Sequence, residues 1–323
     1  MSNSDPIRRV SVVSTGTVQI HPQHAACTWQ PTWLWVLTSR EWTVPLPINV
    51  YVIEHRDGLV LFDTGQDRAS ITDPRYFPTG PLLGLLFRMA KFEMAADQTL
   101  TVLLQSLGYR ASEVATVVFS HLHGDHIGGL REVSQAELLV SRTEWDTLSG
   151  SWPELAGVMR RHIELPGLRW RQIDPAPLHD PALAPFDVGH DRFGDGSLVM
   201  VPTPGHTAGS ISLIVRRADK PTLALVGDLT YAADLLKREH VPGVGNRRIL
   251  RRSSAMMNQL QAATPGLVVL PTHDPGAAAA LDEAQGHSRR LRRDMLDAAE
   301  VTVMSNLIAR RPVEALPHGA PGQ

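Results

Sequence analysis

The sequence has a single cysteine, Cys27, among 323 residues. One thiol excludes an internal disulfide framework and a cysteine-rich metal site, and it fits a reducing compartment. Long hydrophobic runs are also missing: no stretch approaches the roughly 18 apolar residues that a membrane helix needs. The opening Met-Ser-Asn-Ser-Asp-Pro shows neither the basic start nor the apolar core of a secretory signal. A soluble, cytoplasmic chain without a membrane partner is therefore expected. Charge of one sign does not dominate, since 31 Lys and Arg face 33 Asp and Glu for a net charge of -2. Without a basic field, no nucleic-acid partner is expected. Apolar residues make up 43% and charged residues 20%, enough for a sizeable core. No low-complexity linker interrupts the chain, so one domain spanning residues 1–323 is expected.

Periodicity sketches the elements. Residues 10–20 alternate loosely and are β-branched, which predicts a first strand. Apolar runs at 48–54 and 59–62 flank Arg56-Asp57-Gly58 and predict a hairpin. Residues 98–107 have helical spacing and stop at Gly108. Further strands are predicted at 114–120, 137–141, 198–201, 211–215, 222–226 and 267–270, and helices at 143–148 and 249–263. Two insertions stand out: an irregular, Trp- and Pro-rich stretch near 21–47, and residues 74–94 with Leu82, Leu83, Leu85, Leu86, Phe87 and Met89. Residues 150–196 carry many Pro and Asp and show no clear pattern, and a C-terminal helical extension begins at about 277. Strand pairs alternating with helices predict an α/β class, two packed sheets with helices outside.

The chemistry concentrates at His121-Leu122-His123-Gly124-Asp125-His126, directly after an apolar strand-like run. Imidazole and carboxylate suit zinc and its first-row neighbours. In extended chain alternate side chains share a face, so His121 and His123 can grip one ion. A turn at Gly124 would swing Asp125 and His126 toward a second, roughly 3.5–4 Å away as in two-metal hydrolases. The same form recurs downstream, where apolar runs end at His206, Asp228 and His273, and upstream at Asp63. Rigid strand ends that converge are what a metal site needs. Asp228 is a carboxylate able to bridge two ions, and Asp63 is expected to orient a ligand or a strand end instead of ligating. Packed imidazoles would make poor core material without a metal. The other histidines, His21, His24, His55, His162, His179, His190, His240, His287 and His318, read as ordinary core or surface residues.

Five pieces occur together in order: Asp63-Thr64-Gly65, the His121 to His126 motif, Pro204-Gly205-His206-Thr207, Gly227-Asp228 and Thr272-His273-Asp274. With them the chain resembles the metallo-β-lactamase superfamily. The resemblance implies a four-layer αββα sandwich and two divalent metal ions, zinc foremost. It implies one ion held by His121, His123 and His206 and another by Asp125, His126 and His273. Asp228 and a hydroxide would lie between them. Asp228-Leu229-Thr230-Tyr231, the stretch from Ser120 to Gly129, and Val140-Ser141-Arg142-Thr143-Glu144-Trp145 look most like the N-acyl-homoserine lactone lactonases.

That branch implies a small-molecule lactone substrate. The hydroxide would attack the carbonyl, Tyr231 would help hold the oxyanion, and Asp125 would pass a proton to the leaving oxygen. Leu86, Phe87 and Trp33 are candidates for the wall of an acyl-chain pocket, with Trp29 and Trp35 beside them. Core burial or a subunit contact is the plainer reading of these apolar residues. Dimers are usual in the branch, so a homodimer is expected. The clusters Arg247-Arg248-Arg251-Arg252 and Arg289-Arg290-Arg292-Arg293 read as solvated faces. A glyoxalase II-like thioesterase would use the same ligands and would give the second cluster a glutathione to bind. A nuclease lacks its basic balance, and a true β-lactamase lacks its secretion signal and its metal-binding cysteine. A non-catalytic metal-stabilised module would be missing ligands.

Overall fold

β-Branched alternation at the start of the chain builds its longest strand, β1 (Ile7–Ile20). In the computed structural model, residues 5–78, 84, 87 and 89–286 are described. Leu82, Leu83, Leu85 and Leu86 of the second insertion, and the arginines at 289, 290, 292 and 293, lie outside the described residues. β1 bends at Gly16, where its register with β2 (Leu46–His55) shifts between Ser14 and Thr17. Gly16 has φ 115, and a Cβ there would stand 2.3 Å from the Glu93 carbonyl oxygen, so the bend requires glycine.

β2 and β3 (Gly58–Phe62) form the predicted hairpin, and β4 (Ala90–Glu93) pairs antiparallel with the far side of β1. β5 (Val114–Val118), β6 (Glu137–Ser141) and β7 (Arg169–Ile173) extend the sheet in parallel. The seven strands run in the order β4-β1-β2-β3-β5-β6-β7. A six-stranded sheet contains β8 (Ala176–Pro177), β9 (Val188–Asp191), β10 (Leu198–Pro202), β11 (Ile211–Val215), β12 (Leu223–Gly227) and β13 (Val268–Pro271). Its order is β13-β12-β11-β10-β9-β8.

The two-residue period of the strands sorts side chains into layers. Tyr51, Ile53, Val60 and Phe62 pack with Leu213 and Leu225 between the sheets. Their neighbours Val50, Val52, Leu59 and Leu61 face outward against Leu100 and Leu104 of the helix Leu100–Ser106. On the other outer face, Val199, Val201, Ala224 and Val226 pack with Leu250, Met257 and Leu260 of the helix Arg247–Ala263. Three apolar layers between four layers of structure give the expected αββα sandwich.

Two stretches differ from the sequence reading. Residues 21–47 hold the short helices Pro22–Ala25 and Thr32–Thr38, each too brief to leave a helical period. Residues 150–196 hold β7, β8 and β9, and β8 has only 2 residues, too few for an alternation to register. The C-terminal helix is described from Ala277 to Ala284. Among the described residues no helix is long and apolar enough to cross a membrane.

Candidate active site

Parallel pairing brings the functional strand ends to one edge. Phe62 stands opposite Val118, and Gly227 opposite Pro271, so the segments that follow leave side by side. His121 follows β5, and His123, still extended, caps the helical turn Gly124–Ile127. That turn, expected at Gly124, separates Asp125 and His126 from His121 and His123. Gly227 ends β12 with φ 54, and a Cβ there would lie 2.6 Å from Ser120 Cβ. This close crossing sets Asp228 beside the His121 segment.

All seven predicted ligand residues meet. His121, His123 and His206 form one group, Asp125, His126 and His273 a second, and His121, His126 and Asp228 a third; within each group the donor atoms lie within 4.8 Å of one another. Asp228 faces both sides. Its Oδ1 is 3.3 Å from His126 Nε2 and 3.3 Å from His273 Nε2. Its Oδ2 is 3.4 Å from His206 Nε2 and accepts a hydrogen bond from the Tyr231 hydroxyl at 3.0 Å. His273 Nε2 also approaches Asp125 Oδ2 at 3.6 Å.

Outer partners fix how the rings stand. His126 Nδ1 donates to Asp63 Oδ2 at 2.8 Å, His273 Nδ1 to the Pro47 carbonyl at 2.9 Å and His123 Nε2 to the Ala156 carbonyl at 2.8 Å. His121 Nδ1 lies 3.0 Å from Ser120 Oγ, whose own hydrogen goes to Asp63 Oδ2 at 2.8 Å. Each acceptor takes one ring nitrogen and turns the opposite one toward the cluster, where His123 Nδ1 lies 3.0 Å from His206 Nε2. Asp63 holds φ 61, a conformation uncommon outside glycine, and its Oδ1 also accepts the Ser120 N–H at 2.7 Å.

Charge is strained here. Burial drives His121 and His206 well below the ordinary histidine value. Burial pulls His126 and His273 the same way, but the carboxylates around them, Asp228 foremost and Asp125 with it, together outweigh burial and both rise. Buried His121 Nε2, His126 Nε2 and Asp228 Oδ1 have no hydrogen-bond partner among the described residues. Buried polar atoms rarely go unpaired. Bare imidazole nitrogens and carboxylate oxygens converging in this way are a donor set that fits divalent metal ions.

A cavity of about 620 Å³ opens over the cluster, within the range for small-molecule sites. Asp125, Asp228, Tyr231 and His273 line its polar floor, and Tyr76, Phe77, Phe87, Phe92, Met159 and Ile249 are among its apolar walls. Of the two candidates in the second insertion, Phe87 lines the cavity and Leu86 is outside the described residues. Trp33 does not line it. In the helix Thr32–Thr38 the buried ring is Trp35, and Trp33, two positions or about 200° around, is 65% exposed. Trp29 is exposed as well. His24 was expected to be an ordinary residue, yet it lines the cavity with Nε2 3.0 Å from the Tyr231 hydroxyl. No spacing signal links positions 24 and 231.

A family model described as the metallo-beta-lactamase superfamily matches residues 43–284. The chain belongs to this superfamily. Among superfamily relatives, the N-acyl homoserine lactonase AttM of Rhizobium johnstonii is 28% identical over 242 residues, covering 72% of this chain and 83% of the relative. The fold is also that of an N-acyl homoserine lactone hydrolase solved with the product N-hexanoyl-L-homoserine at its catalytic metal center. That structure has TM-score 0.65 and 19% identity, over 85% of this chain and 95% of the other. A B. thuringiensis AiiA mutant with N-decanoyl-L-homoserine at the active site gives the same TM-score of 0.65 and 19% identity, with coverage of 85% and 95%.

Proposed function

We propose that the protein is a dinuclear metal-dependent hydrolase that opens the lactone ring of N-acyl-homoserine lactones. The carrying observation is the split of Asp228: Oδ1 faces His126 and His273, and Oδ2 faces His206 and Tyr231. One ion would sit among His121, His123 and His206 and the other among Asp125, His126 and His273, with Asp228 shared. Zinc is the proposed metal, and when bound it would supply a nucleophile at neutral pH and polarise the carbonyl.

The chain's own groups do the rest. The Tyr231 hydroxyl, on the cavity floor beside Asp228, donates to the carbonyl oxygen as negative charge develops there. Asp125, which lines the same cavity, takes up the proton released as water adds to the carbonyl and passes it to the ring oxygen as the acyl carbon–oxygen bond breaks. Net addition of water yields the open hydroxy acid, which ionises and releases one proton. The apolar walls take the acyl chain. Among the described residues lining the cavity none is Lys or Arg, which favours an uncharged chain over the carboxylates of a glutathione thioester. A cytoplasmic location and a homodimer belong to the same proposal, and sedimentation velocity tests the second.

The experiment is a panel of N-acyl-homoserine lactones and S-lactoylglutathione on metal-quantified protein, the lactones followed by pH drift. Lactone turnover with about two ions per chain is expected. Turnover of the thioester alone would make the protein a thioesterase, and full activity with fewer than two ions would sink the dinuclear form.

Two substitutions probe the parts. Asp63→Asn removes the acceptor charge behind His126 and is expected to weaken metal binding about 10- to 100-fold, read by chelator competition. Unchanged affinity would deny Asp63 that role. Phe77 packs on Phe87 and Phe92 with ring centroids 5.3 and 5.9 Å apart. Phe77→Ala is expected to shift the kcat/KM ratio of decanoyl to butanoyl substrate about 10-fold toward the short chain. An unaltered ratio would place the acyl chain elsewhere.

A further inference from the structure

We infer that His24 positions the Tyr231 hydroxyl for the reaction, as a hydrogen-bond donor supplied by a segment outside the region that the family model matches. That match begins at residue 43. The inference rests on the proposed hydrolase reading, in which Tyr231 faces the reacting carbonyl.

Hydrogen counting assigns the direction of the bond. The Tyr231 hydroxyl has one hydrogen, and Asp228 Oδ2, 3.0 Å away, can only accept it. His24 Nε2, 3.0 Å from the same oxygen, must therefore carry its own hydrogen and donate. Burial, with Asp228 opposing it, lowers the His24 pKa to about 4, so the ring is neutral at pH 7 and has one N–H to give. Its Nδ1 is then a bare acceptor, buried and without a hydrogen-bond partner among the described residues. The two rings meet edge to face, with centroids 5.5 Å apart and an interplanar angle of 76°.

The segment is anchored to hold that geometry. The His24 carbonyl accepts from Gly243 N–H at 2.8 Å, and Cys27 N–H donates to the Val241 carbonyl at 2.8 Å. The Arg247 guanidinium donates to the carbonyls of Thr28 and Gln30 at 2.9 and 3.0 Å. The buried Trp35 ring backs His24, with centroids 6.1 Å apart.

The chemical consequence follows from the bond Tyr231 must give up. When the hydroxyl turns its hydrogen from Asp228 Oδ2 to a substrate oxygen, only the His24 N–H still holds the phenol oxygen. A hydrogen bond donated into that oxygen also polarises its O–H and strengthens it as a donor. His24 thus acts through Tyr231 without touching substrate.

The test is a double-mutant cycle with His24→Phe, Tyr231→Phe and the pair, plus His24→Gln, all at wild-type metal content and circular dichroism. His24→Phe is expected to lower kcat about 10-fold with KM within about twofold, the scale of one hydrogen bond. His24→Gln, whose amide keeps a donor, is expected to restore most of it, and His24→Phe should add nothing in the Tyr231→Phe background. An equal loss in both backgrounds, or no loss at all, overturns the inference. The cycle runs on whichever carbonyl substrate wild-type protein turns over, so a thioester-only result sinks the lactone reading and leaves this one standing. A readout needing no turnover is nitrogen-15 NMR of the histidines in metal-loaded protein, with His24 assigned by difference from His24→Gln. A neutral ring protonated on Nε2 is expected, and a proton on Nδ1 overturns the inference.

Discussion

Asp228→Asn is expected to lower kcat/KM by about 10³ or more and to bring the metal content below two ions per chain. A factor of 10³ corresponds to about 4 kcal/mol of transition-state stabilisation. That is the scale of removing one partner from a buried charge pair. The carboxylate is 5% exposed and faces three imidazoles across 3.3 to 3.4 Å. Burial opposes its charge, yet His273 and His126 outweigh burial and hold it well below the usual carboxylate range. An amide of the same shape keeps one acceptor oxygen but puts N–H groups where the carboxylate offers lone pairs to an imidazole or an ion. The charge that faces both proposed ion positions is lost, while the packing around it is kept. Steady-state kinetics and elemental analysis on the same preparation check this. Two retained ions with a fall of less than tenfold would remove Asp228 from the centre of the site.

Glu144→Ala is expected to cost about 4 kcal/mol of folding stability, read as a lower denaturant midpoint. Glu144 is fully buried, and both its oxygens are used. Oε1 accepts the Leu122 N–H at 3.0 Å; Oε2 accepts the Thr207 hydroxyl at 2.7 Å and the Gly209 N–H at 3.1 Å. Removing the carboxyl strands two buried N–H donors, each worth roughly 1–3 kcal/mol when unsatisfied, while the half-buried Thr207 hydroxyl keeps Ser210 Oγ at 2.6 Å. Leu122 lies between His121 and His123, and Thr207 follows His206, so Glu144 ties together the two loops that bear one three-histidine group. Ser141 reinforces the tie: its Oγ caps the helix Arg142–Asp146 by accepting Glu144 N–H and donates to the Gly209 carbonyl at 2.6 Å. The variant should therefore lose metal first from His121, His123 and His206, giving about one ion per chain at limiting metal. Glu144→Gln should be milder, because one acceptor survives. A midpoint within about 1 kcal/mol of wild type for Glu144→Ala would show that the loops hold without it.

The legible parts of the site share one property: they sit where a local pattern breaks. Each apolar run that stops at a His or Asp marks a strand end, and five such ends converge in the sandwich. Glu144 stood within a stretch noted for its resemblance, but its hydrogen bonds cross 22 to 65 positions and no local pattern encodes them. The same distance hid His24 from Tyr231. The cavity wall was half legible, because an apolar side chain reads alike whether it faces a core or a cavity. Phe87 lies along the cavity, and Trp33 lies on the exposed face of a helix too short to show its period.

By itself the sequence determined the donor chemistry, the order of the strands that deliver it and the layering of the sheets. Ligand types, strand-end placement and two-residue alternation are local, and neighbours along the chain are enough to express them. Only the tertiary structure decided which oxygen of Asp228 faces which histidines, which buried carboxyl joins the ligand loops, and that a residue at position 24 reaches Tyr231. These depend on contacts between segments far apart in the chain, whose geometry exists only once the two sheets have packed.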